Sequence, residues 1–286
     1  IFCFGCARTV DSGNPYLYNY QIQEASKFGQ DTAALRTYLS PLIAPDSSHD
    51  VETKQIIFNT LYAKSVFLAK KSINNESNAY FEQAISLANK ENNTAMIIWV
   101  NMAIGQYYYY FSELERSLPY FLKAAFLINQ VPANLQVDAA ESYQYLSYLF
   151  DTLGEKEKAL DYLNSALKLT SDTSKLLPVL LDNIGVNYME RKDTANAFVY
   201  LQKAEEKALL LNNISRLAKV KGNFSRIYYN KGDFNKSNSY LEDDIKFSLI
   251  AKDSVNLLFA KRLKTRNLLK LGRYPEAHLE LKDIGL

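Results

Sequence analysis

Small and large apolar residues recur at fixed spacings along most of this chain. In the clearest copy, Gly185 is followed three residues later by Tyr188, twelve later by Ala197 and sixteen later by Leu201. The same order occurs in six copies that begin about 40 residues apart. Side chains three or four positions apart lie on one face of a helix. The pattern therefore predicts pairs of antiparallel helices, A and B, with the small residues where the two helices cross.

Both small positions are filled in every copy. The first small residue lies on helix A: Ser65, Gly105, Ser147, Gly185, Ser225 and Thr265. The second lies on helix B, twelve residues later: Ser77, Ser117, Ala159, Ala197, Ser237 and Ala277. One helix pair cannot bury its apolar face alone, so successive pairs must stack to form a continuous core. The sequence thus predicts an all-α solenoid.

The predicted turns between helices A and B resemble those of the tetratricopeptide repeat family. They are Leu153–Ala159, Lys231–Phe234 and Leu271–Ala277, where Gly closes helix A and Pro275 suits the start of helix B. The resemblance covers roughly residues 51–286 and implies a right-handed superhelix with about seven repeats. At about 40 residues, these copies exceed the usual length of about 34 and are similar to tetratricopeptide domains of bacterial signalling proteins.

Three polar residues depart from the family pattern. Lys64 and Lys264 stand where an apolar residue precedes the first small position, and Asp244 stands where Ala is usual. Polar substitutions towards the end of the chain fit a sixth repeat that faces solvent or awaits another neighbour.

The chain divides by pattern into three parts. Residues 1–13 form an N-terminal tail, residues 14–50 a divergent first helix pair, and residues 51–286 the six clear repeats. The divergent pair is predicted over Tyr16–Phe28 and Asp31–Ile43, before a break at Pro45.

The first residues resemble the end of a secretory signal peptide. An apolar run precedes Gly5-Cys6, a pair similar to a bacterial lipobox in which Cys6 would carry the lipid. The same residues fit an ordinary cleavage site, and a cytoplasmic protein with an apolar N-terminus is the alternative. We expect an exported protein, periplasmic or membrane-anchored. Both cysteines, Cys3 and Cys6, lie in this segment, which excludes a disulfide scaffold for the repeats.

Charge and composition limit the kinds of molecule that this chain is expected to bind. The 33 basic and 31 acidic residues give a net charge of +2, which predicts no general attraction to nucleic acid or anionic lipid. Membrane contact is expected only through the possible lipid anchor or through a segment beyond Leu286, where the helical pattern stops abruptly.

The sequence contains few residues that could carry out catalysis or bind a metal. The two histidines, His49 and His278, have no nucleophile placed near them by the pattern, and no phosphate-binding glycine loop or metal-ligand spacing occurs. We therefore expect no catalytic activity, no cofactor and no metal.

The family resemblance places a ligand groove on the concave face, which helix A lines. The positions that this implies lie six and three residues before, and one and four after, the first small residue. The candidate peptide-binding residues are Trp99, Gln106, Tyr109, Gln144, Tyr148, Asp182, Lys219, Arg226, Tyr229, Arg262 and Arg266.

Two groups stand out among these candidates. Lys219, Arg226, Arg262 and Arg266 form a basic end that could hold a carboxylate, although ordinary surface cations paired with acids would give the same pattern. The aromatic run Tyr107–Phe111 covers every face of a helix, so some of its rings cannot be core. With Trp99 and Tyr148 it suggests an aromatic binding wall, and packing against helices B is the alternative.

The sequence therefore predicts a non-catalytic scaffold that binds a protein or peptide, with an acidic or free C-terminal end as the ligand feature. In a narrower form, the chain is the sensor region of a longer bacterial regulator. The alternatives are a structural envelope lipoprotein in an assembly complex and, as a second alternative, an enzyme.

Overall fold

The computed structural model describes residues 25–44, 50–131 and 139–283. Within these ranges the chain forms thirteen α-helices, two 3-10 helices (Ser26–Phe28 and Ser40–Ile43) and no β-strand. The first six α-helices are α1 (Thr32–Leu39), α2 (Val51–Lys70), α3 (Asn75–Lys90), α4 (Thr94–Tyr110), α5 (Leu114–Ile128) and α6 (Ala139–Thr152). The others are α7 (Lys156–Lys168), α8 (Leu177–Glu190), α9 (Thr194–Leu210), α10 (Ile214–Asn230), α11 (Phe234–Ala251), α12 (Ser254–Lys270) and α13 (Tyr274–Asp283). The predicted all-α solenoid fold is confirmed, and α2 to α13 are the A and B helices of the six predicted repeats.

The chain divides into two compact units, residues 1–149 and 150–286, and the division falls in the last turn of α6. The core of the first unit is built by large side chains of α2 to α4, among them Ile56, Phe81, Met96 and Tyr107. The core of the second unit is built by side chains of α8 to α12, among them Leu201, Phe224, Leu241 and Leu263.

The small residues lie where helices A and B approach most closely. A Cβ atom on Gly105 would lie 2.8 Å from the ring of Phe121, so no larger residue fits there without movement. In the fifth repeat the crossing is polar, because the hydroxyls of Ser225 and Ser237 lie 2.8 Å apart and the Ser237 hydroxyl donates to the Ser225 carbonyl. All twelve small residues of the six repeats are buried, which explains the fixed register in the sequence.

The turns from helix A to helix B share one backbone feature. Each turn contains one residue with positive φ: Lys71, Ser112, Gly154, Lys192, Gly232 and Gly272. The following helix B is capped by a side-chain oxygen in three of these turns, where Asn74, Asp193 and Asp233 accept a backbone N–H from the third residue on. The short turns therefore set the antiparallel arrangement of each pair, and in three repeats the cap also stabilises the start of helix B.

Two of the three polar residues that depart from the family pattern are lysines whose ammonium groups have polar partners. Lys64 donates from Nζ to Gln106 Oε1 at 3.3 Å, and Lys264 Nζ lies 2.8 Å from Glu280 Oε1. A lysine can cover apolar surface with its stem while its ammonium reaches a polar partner, so both lysines are accommodated beside the small positions.

The N-terminal predictions fall partly outside the described residues. Helix α1 and the 3-10 helix Ser40–Ile43 lie within the second predicted element, Asp31–Ile43. Residues 14–24, Cys6 and His49 lie outside the described ranges. Among the helices that the structure describes, none has the length and apolar character needed to cross a membrane.

Candidate binding surfaces

Tyrosines of α4 and α6 meet in the first unit and form the aromatic cluster, defined here as Tyr109, Tyr145 and Tyr148. The Tyr109 ring lies 5.3 Å from that of Tyr145 and 6.2 Å from that of Tyr148, measured between centroids. Tyr145 also stacks on Phe121, with the ring planes 5° apart. The aromatic cluster therefore rests on helix B of the second repeat through Tyr145.

Hydrogen bonding and burial fix the aromatic cluster in place. Gln144 is buried, and its Nε2 donates to the Tyr148 hydroxyl at 2.6 Å. Burial, assisted by the nearby Glu141 carboxylate, raises the pKa of Tyr145 to about 12. The Tyr145 phenol thus stays neutral at physiological pH, while Tyr109 and Tyr148 retain partly accessible surface.

The other members of the predicted aromatic wall differ in burial, since Trp99 and Tyr107 are buried and Tyr110 is exposed. Trp99 is 8% exposed and belongs to the core of the first unit, and Gln106 accepts the hydrogen bond from Lys64. In the aromatic run, Tyr107 is fully buried and its hydroxyl accepts the backbone N–H of Asn74, whereas Tyr110 is 59% exposed. The binding role of these residues stays a prediction.

In the second unit, Asp182 of α8 is buried beneath α10. Its Oδ2 accepts a hydrogen bond from Arg216 Nη1 at 2.8 Å and its Oδ1 accepts one from Asn223 Nδ2 at 2.8 Å. Burial raises the pKa of the Asp182 carboxyl, and the positive charge of Arg216 opposes that rise. Asp182 therefore joins two successive A helices, and its carboxylate oxygens already accept bonds within the protein.

Two further predicted site residues, Arg226 and Lys219, lie on α10 and have only long contacts with acidic side chains. Arg226 donates from Nη1 to Asn223 Oδ1 at 3.3 Å, and its Nη2 lies 4.0 Å from Glu190 Oε1. The Lys219 ammonium lies 4.0 Å from Asp253 Oδ2. These long contacts leave both cations partly exposed, so each can change partner at low energetic cost.

Arg262 and Arg266 of α12 are exposed and stand one helical turn apart. The Arg266 guanidinium lies 5.2 Å above the Tyr229 ring centre and donates to the Tyr229 hydroxyl at 3.3 Å. Arg262 has no hydrogen bond or ion pair with any residue in the described part of the chain. The structure thus brings together Tyr229, Arg262 and Arg266 as an accessible basic surface.

Sequence reasoning missed the partners that organise these residues. Arg216 and Asn223 hold Asp182, and Tyr145 joins Tyr109 to Tyr148. The sequence did contain one signal for such a partner. Asp182 is an acid on a largely apolar stretch of helix A, and a buried acid needs a polar partner from a neighbouring helix. The described residues contain no cluster of three or more histidine, cysteine, aspartate or glutamate side chains that could hold a metal.

Known proteins resemble this chain in one sequence segment and in fold. Residues 140–173 match the sequence model described as tetratricopeptide repeat. No curated protein matches this sequence. The fold is similar to that of the apo form of RapI, with 15% identity, a TM-score of 0.71, and coverage of 93% of this chain and 75% of that one.

Two further solved structures share the fold. A Rap protein complexed with Competence and Sporulation Factor is 13% identical, with a TM-score of 0.67 over 94% of this chain and 75% of that one. A Signal Transduction ATPase with Numerous Domains from Pyrococcus horikoshii, which has a tetratricopeptide repeat sensor, is 14% identical with a TM-score of 0.69. That match covers 92% of this chain and 41% of the ATPase chain.

Proposed function

We propose that this chain, a member of the tetratricopeptide repeat family, is a non-catalytic scaffold that binds a peptide or protein segment through side chains of its A helices. Repeats of this kind present residues from successive helices to one extended ligand. The Rap protein of similar fold that is complexed with Competence and Sporulation Factor supports a peptide or protein ligand.

The observation that carries the proposal is the basic surface of Tyr229, Arg262 and Arg266. Two guanidinium groups stand one turn apart, and neither has a carboxylate within ion-pair distance in the described residues. A guanidinium binds a carboxylate through two parallel hydrogen bonds, which gives both affinity and orientation. The proposed ligand therefore presents an acidic side chain or a free C-terminal carboxylate to this surface.

The aromatic cluster is the proposed second contact. Tyr109 and Tyr148 combine partly accessible rings with fixed positions, since Tyr148 is held by Gln144 and both rings contact Tyr145. Rigid aromatic side chains contribute large contact areas at little loss of conformational entropy. We propose that apolar side chains of the ligand pack on these two rings.

Binding of peptides to the immobilised protein tests the proposal. The probe is a set of peptides with an acidic residue next to a free C-terminal carboxylate, compared with the same peptides amidated. The double variant Arg262→Ala with Arg266→Ala should weaken binding roughly tenfold or more, because a hydrogen bond to a charged group contributes about 1.5–3 kcal/mol. The matched control is Lys231→Ala with Lys252→Ala, which removes two exposed cations elsewhere in the second unit. Unchanged affinity in the arginine variant would show that the basic surface does not hold the ligand.

A narrower proposal is that the chain is the sensor region of a longer bacterial regulator. The ATPase from Pyrococcus horikoshii supports it, because its tetratricopeptide repeats are a sensor in a chain of which this one covers 41%. The full gene sequence tests this narrower proposal. A stop codon directly after the codon for Leu286 would contradict it.

Export and lipidation at Cys6 are proposed on the sequence pattern alone. Expression of the complete gene with Cys6→Ala should move the protein from the membrane fraction to the periplasmic fraction. Unchanged membrane association of that variant would exclude Cys6 as the anchor.

A further inference from the structure

Exposed aliphatic side chains lie at the C-terminal ends of three B helices of the second unit. Leu209 and Leu210 end α9 and are 57% and 71% exposed, and Leu249 and Ile250, near the end of α11, are each 58% exposed. Leu169, the residue after α7, is 46% exposed. We call these five residues the apolar edge. Leu209 and Leu249 stand twelve residues after the second small residue of their repeats, so the same place in the repeat is apolar twice.

Ion pairs show that these helix ends lie side by side. Lys221 of α10 lies 2.7 Å from Glu205 of α9 and 3.5 Å from Asp243 of α11. Lys207 of α9 lies 3.4 Å from Asp172, in the segment that follows α7. Helix α9 thus has described neighbours on both sides, and the two leucines at its end are still exposed. Their exposure is therefore a property of an inner repeat and not of the last helix pair.

The repeat itself does not require apolar residues at these places. In the first unit, the positions twelve and thirteen residues after the second small residue hold Asn89 and Lys90 in one repeat and Asn129 and Gln130 in the next, all of them exposed. Polar residues therefore suit the exposed end of a helix B. Exposed apolar residues that gather in one place mark contact with another molecule.

Lysines without acidic partners accompany the apolar edge. They precede Leu169, follow it in the next segment, and stand one turn before and two residues after Ile250: Lys168, Lys175, Lys246 and Lys252. All four are exposed, and none has an ion pair or hydrogen bond among the described residues. On the last two turns of α7, α9 and α11, Glu206 is the one acid without such a partner in the described part of the chain. The apolar edge therefore lies in a locally positive surface, which the net charge of +2 for the whole chain averages out.

We propose that the apolar edge and its lysines dock on the surface of a lipid bilayer that contains anionic lipids. The aliphatic side chains enter the boundary between headgroups and acyl chains, while the ammonium groups bind the anionic headgroups. The B helices meet the membrane with their C-terminal ends, so no helix has to cross it. This inference adds a second surface to the proposed function and does not depend on it.

Composition favours a bilayer over a protein as the occupant. The centres of protein interfaces are enriched in aromatic residues and depleted in lysine, whereas the apolar edge has five aliphatic residues and four lysines around it. A second copy would bring these lysines together, and like charges oppose such a contact. The helix dipole also favours a lysine at a helix C-terminus, but it gives no reason for the exposed aliphatic neighbours.

Flotation with lipid vesicles tests the inference on the full chain carrying Cys6→Ala, so that no attached lipid contributes. Vesicles of phosphatidylcholine with phosphatidylglycerol should bind the protein roughly fivefold or more above vesicles of phosphatidylcholine alone. Leu210→Gln with Ile250→Gln should lower binding roughly tenfold, because two aliphatic side chains no longer enter the bilayer. The matched control is Leu153→Gln with Val199→Gln, at side chains 61% and 45% exposed outside the apolar edge, and it should bind as the parent does.

Two further variants separate the charge and the place of contact. Lys246→Gln with Lys252→Gln should weaken binding to the anionic vesicles only, since neutral vesicles offer no charge to these lysines. In the Leu210→Trp variant, tryptophan fluorescence should shift to the blue when anionic vesicles are added, whereas in Leu153→Trp it should not.

Several results would overturn the inference. They are no flotation of the parent protein, equal flotation of the Leu210→Gln, Ile250→Gln variant, and a blue shift in Leu153→Trp without one in Leu210→Trp. Concentration-dependent dimerisation or a co-purifying protein that this variant loses, without flotation, would assign the apolar edge to a second copy or a protein partner. Peptide binding at the basic surface should be unchanged in all these variants, so failure here leaves the proposed function intact.

Discussion

Asp244 fills the space that Gly222 leaves open on the facing helix. A Cβ atom on Gly222 would lie 2.6 Å from Asp244 Oδ2. Elsewhere this helix B position holds a fully buried alanine: Ala84, Ala124, Ala166 and Ala204. The helix A position that corresponds to Gly222 holds a larger residue in those repeats: Tyr62, Met102, Gln144 and Asp182. The fifth repeat therefore reverses the usual sizes of this pair.

Gly222→Ala should destabilise the protein by about 1–2 kcal/mol, because the added methyl group overpacks against a carboxylate that Ser248 and Asn256 hold in place. In an Asp244→Ala background the same change should stabilise, since alanine favours a helix interior over glycine by about 1 kcal/mol. Urea unfolding of the four proteins measures this coupling. Additive effects would show that the two residues do not compete for space.

The stability of the protein should depend on the ionisation of Asp244. Its Oδ1 accepts hydrogen bonds from Asn256 and Ser248, and its Oδ2 is buried without a partner in the described residues. Burial raises the pKa of Asp244 from its ordinary value of 3.8 to about 7. The folded state therefore holds this proton more tightly than the unfolded chain does. Its contribution to stability is complete below pH 3.8 and is lost as the pH rises through 7.

Asp244→Asn removes this titration. Relative to the variant, the wild type should lose on the order of 1–3 kcal/mol of unfolding free energy between pH 4 and pH 8. Urea unfolding at several pH values provides the comparison, with Asp161→Asn as a control at an exposed aspartate. A stability difference that stays constant across this pH range would contradict the prediction.

Arg216→Met should destabilise the protein by about 3 kcal/mol, because it leaves the buried Asp182 carboxylate without its counter-ion. The double variant Arg216→Met with Asp182→Leu should regain much of that loss, since both charges are then absent. Thermal unfolding would measure both changes. For comparison, Arg191→Met breaks an exposed pair with Glu157 and should change stability by less than about 0.5 kcal/mol. A similar loss at both arginines would argue against a special role of burial.

Lys192→Gly should stabilise the protein by about 0.5–1 kcal/mol. Lys192 has a φ of 64°, a conformation that glycine adopts without steric penalty and that other residues adopt at a loss of about 1–2 kcal/mol. The reverse change, Gly232→Ala, occurs at a φ of 77° with nothing within 4 Å of the added Cβ. Its expected destabilisation of about 1 kcal/mol therefore reports the backbone alone. Opposite signs for the two variants in thermal unfolding are the predicted result.

Tyr148→Ala should weaken the binding of the acidic C-terminal peptides about tenfold if the aromatic cluster contacts the ligand. Tyr110→Ala truncates a 59% exposed tyrosine on α4 outside the aromatic cluster and should leave affinity unchanged. Isothermal titration calorimetry with both variants, after circular dichroism confirms their helicity, makes the comparison. Equal affinity of the Tyr148→Ala variant and the wild type would exclude the ring as a ligand contact.

Much of the fold was predictable because each helix crossing imposes a local steric limit. Ser65 and Ser77, like the equivalent pairs, are small in every copy since a larger side chain would collide with the facing helix. The sequence also showed that Asp244 replaces the usual alanine of helix B. It did not show that Gly222 provides the space for Asp244, because a glycine on helix A gives no sign of which side chain lies beside it.

The candidate site shows the limit of sequence reasoning most clearly. Asp182 and Arg262 hold the same position, three residues before the first small residue, and the sequence assigns them the same direction. Asp182 is buried because α10 lies over α8 and supplies Arg216 and Asn223. Arg262 is exposed because no described helix covers the face of α12 on which it lies. Periodicity along one chain fixed which residues share a helical face. Only the packing of helices that are distant in sequence decided which of those faces meets another helix and which meets solvent.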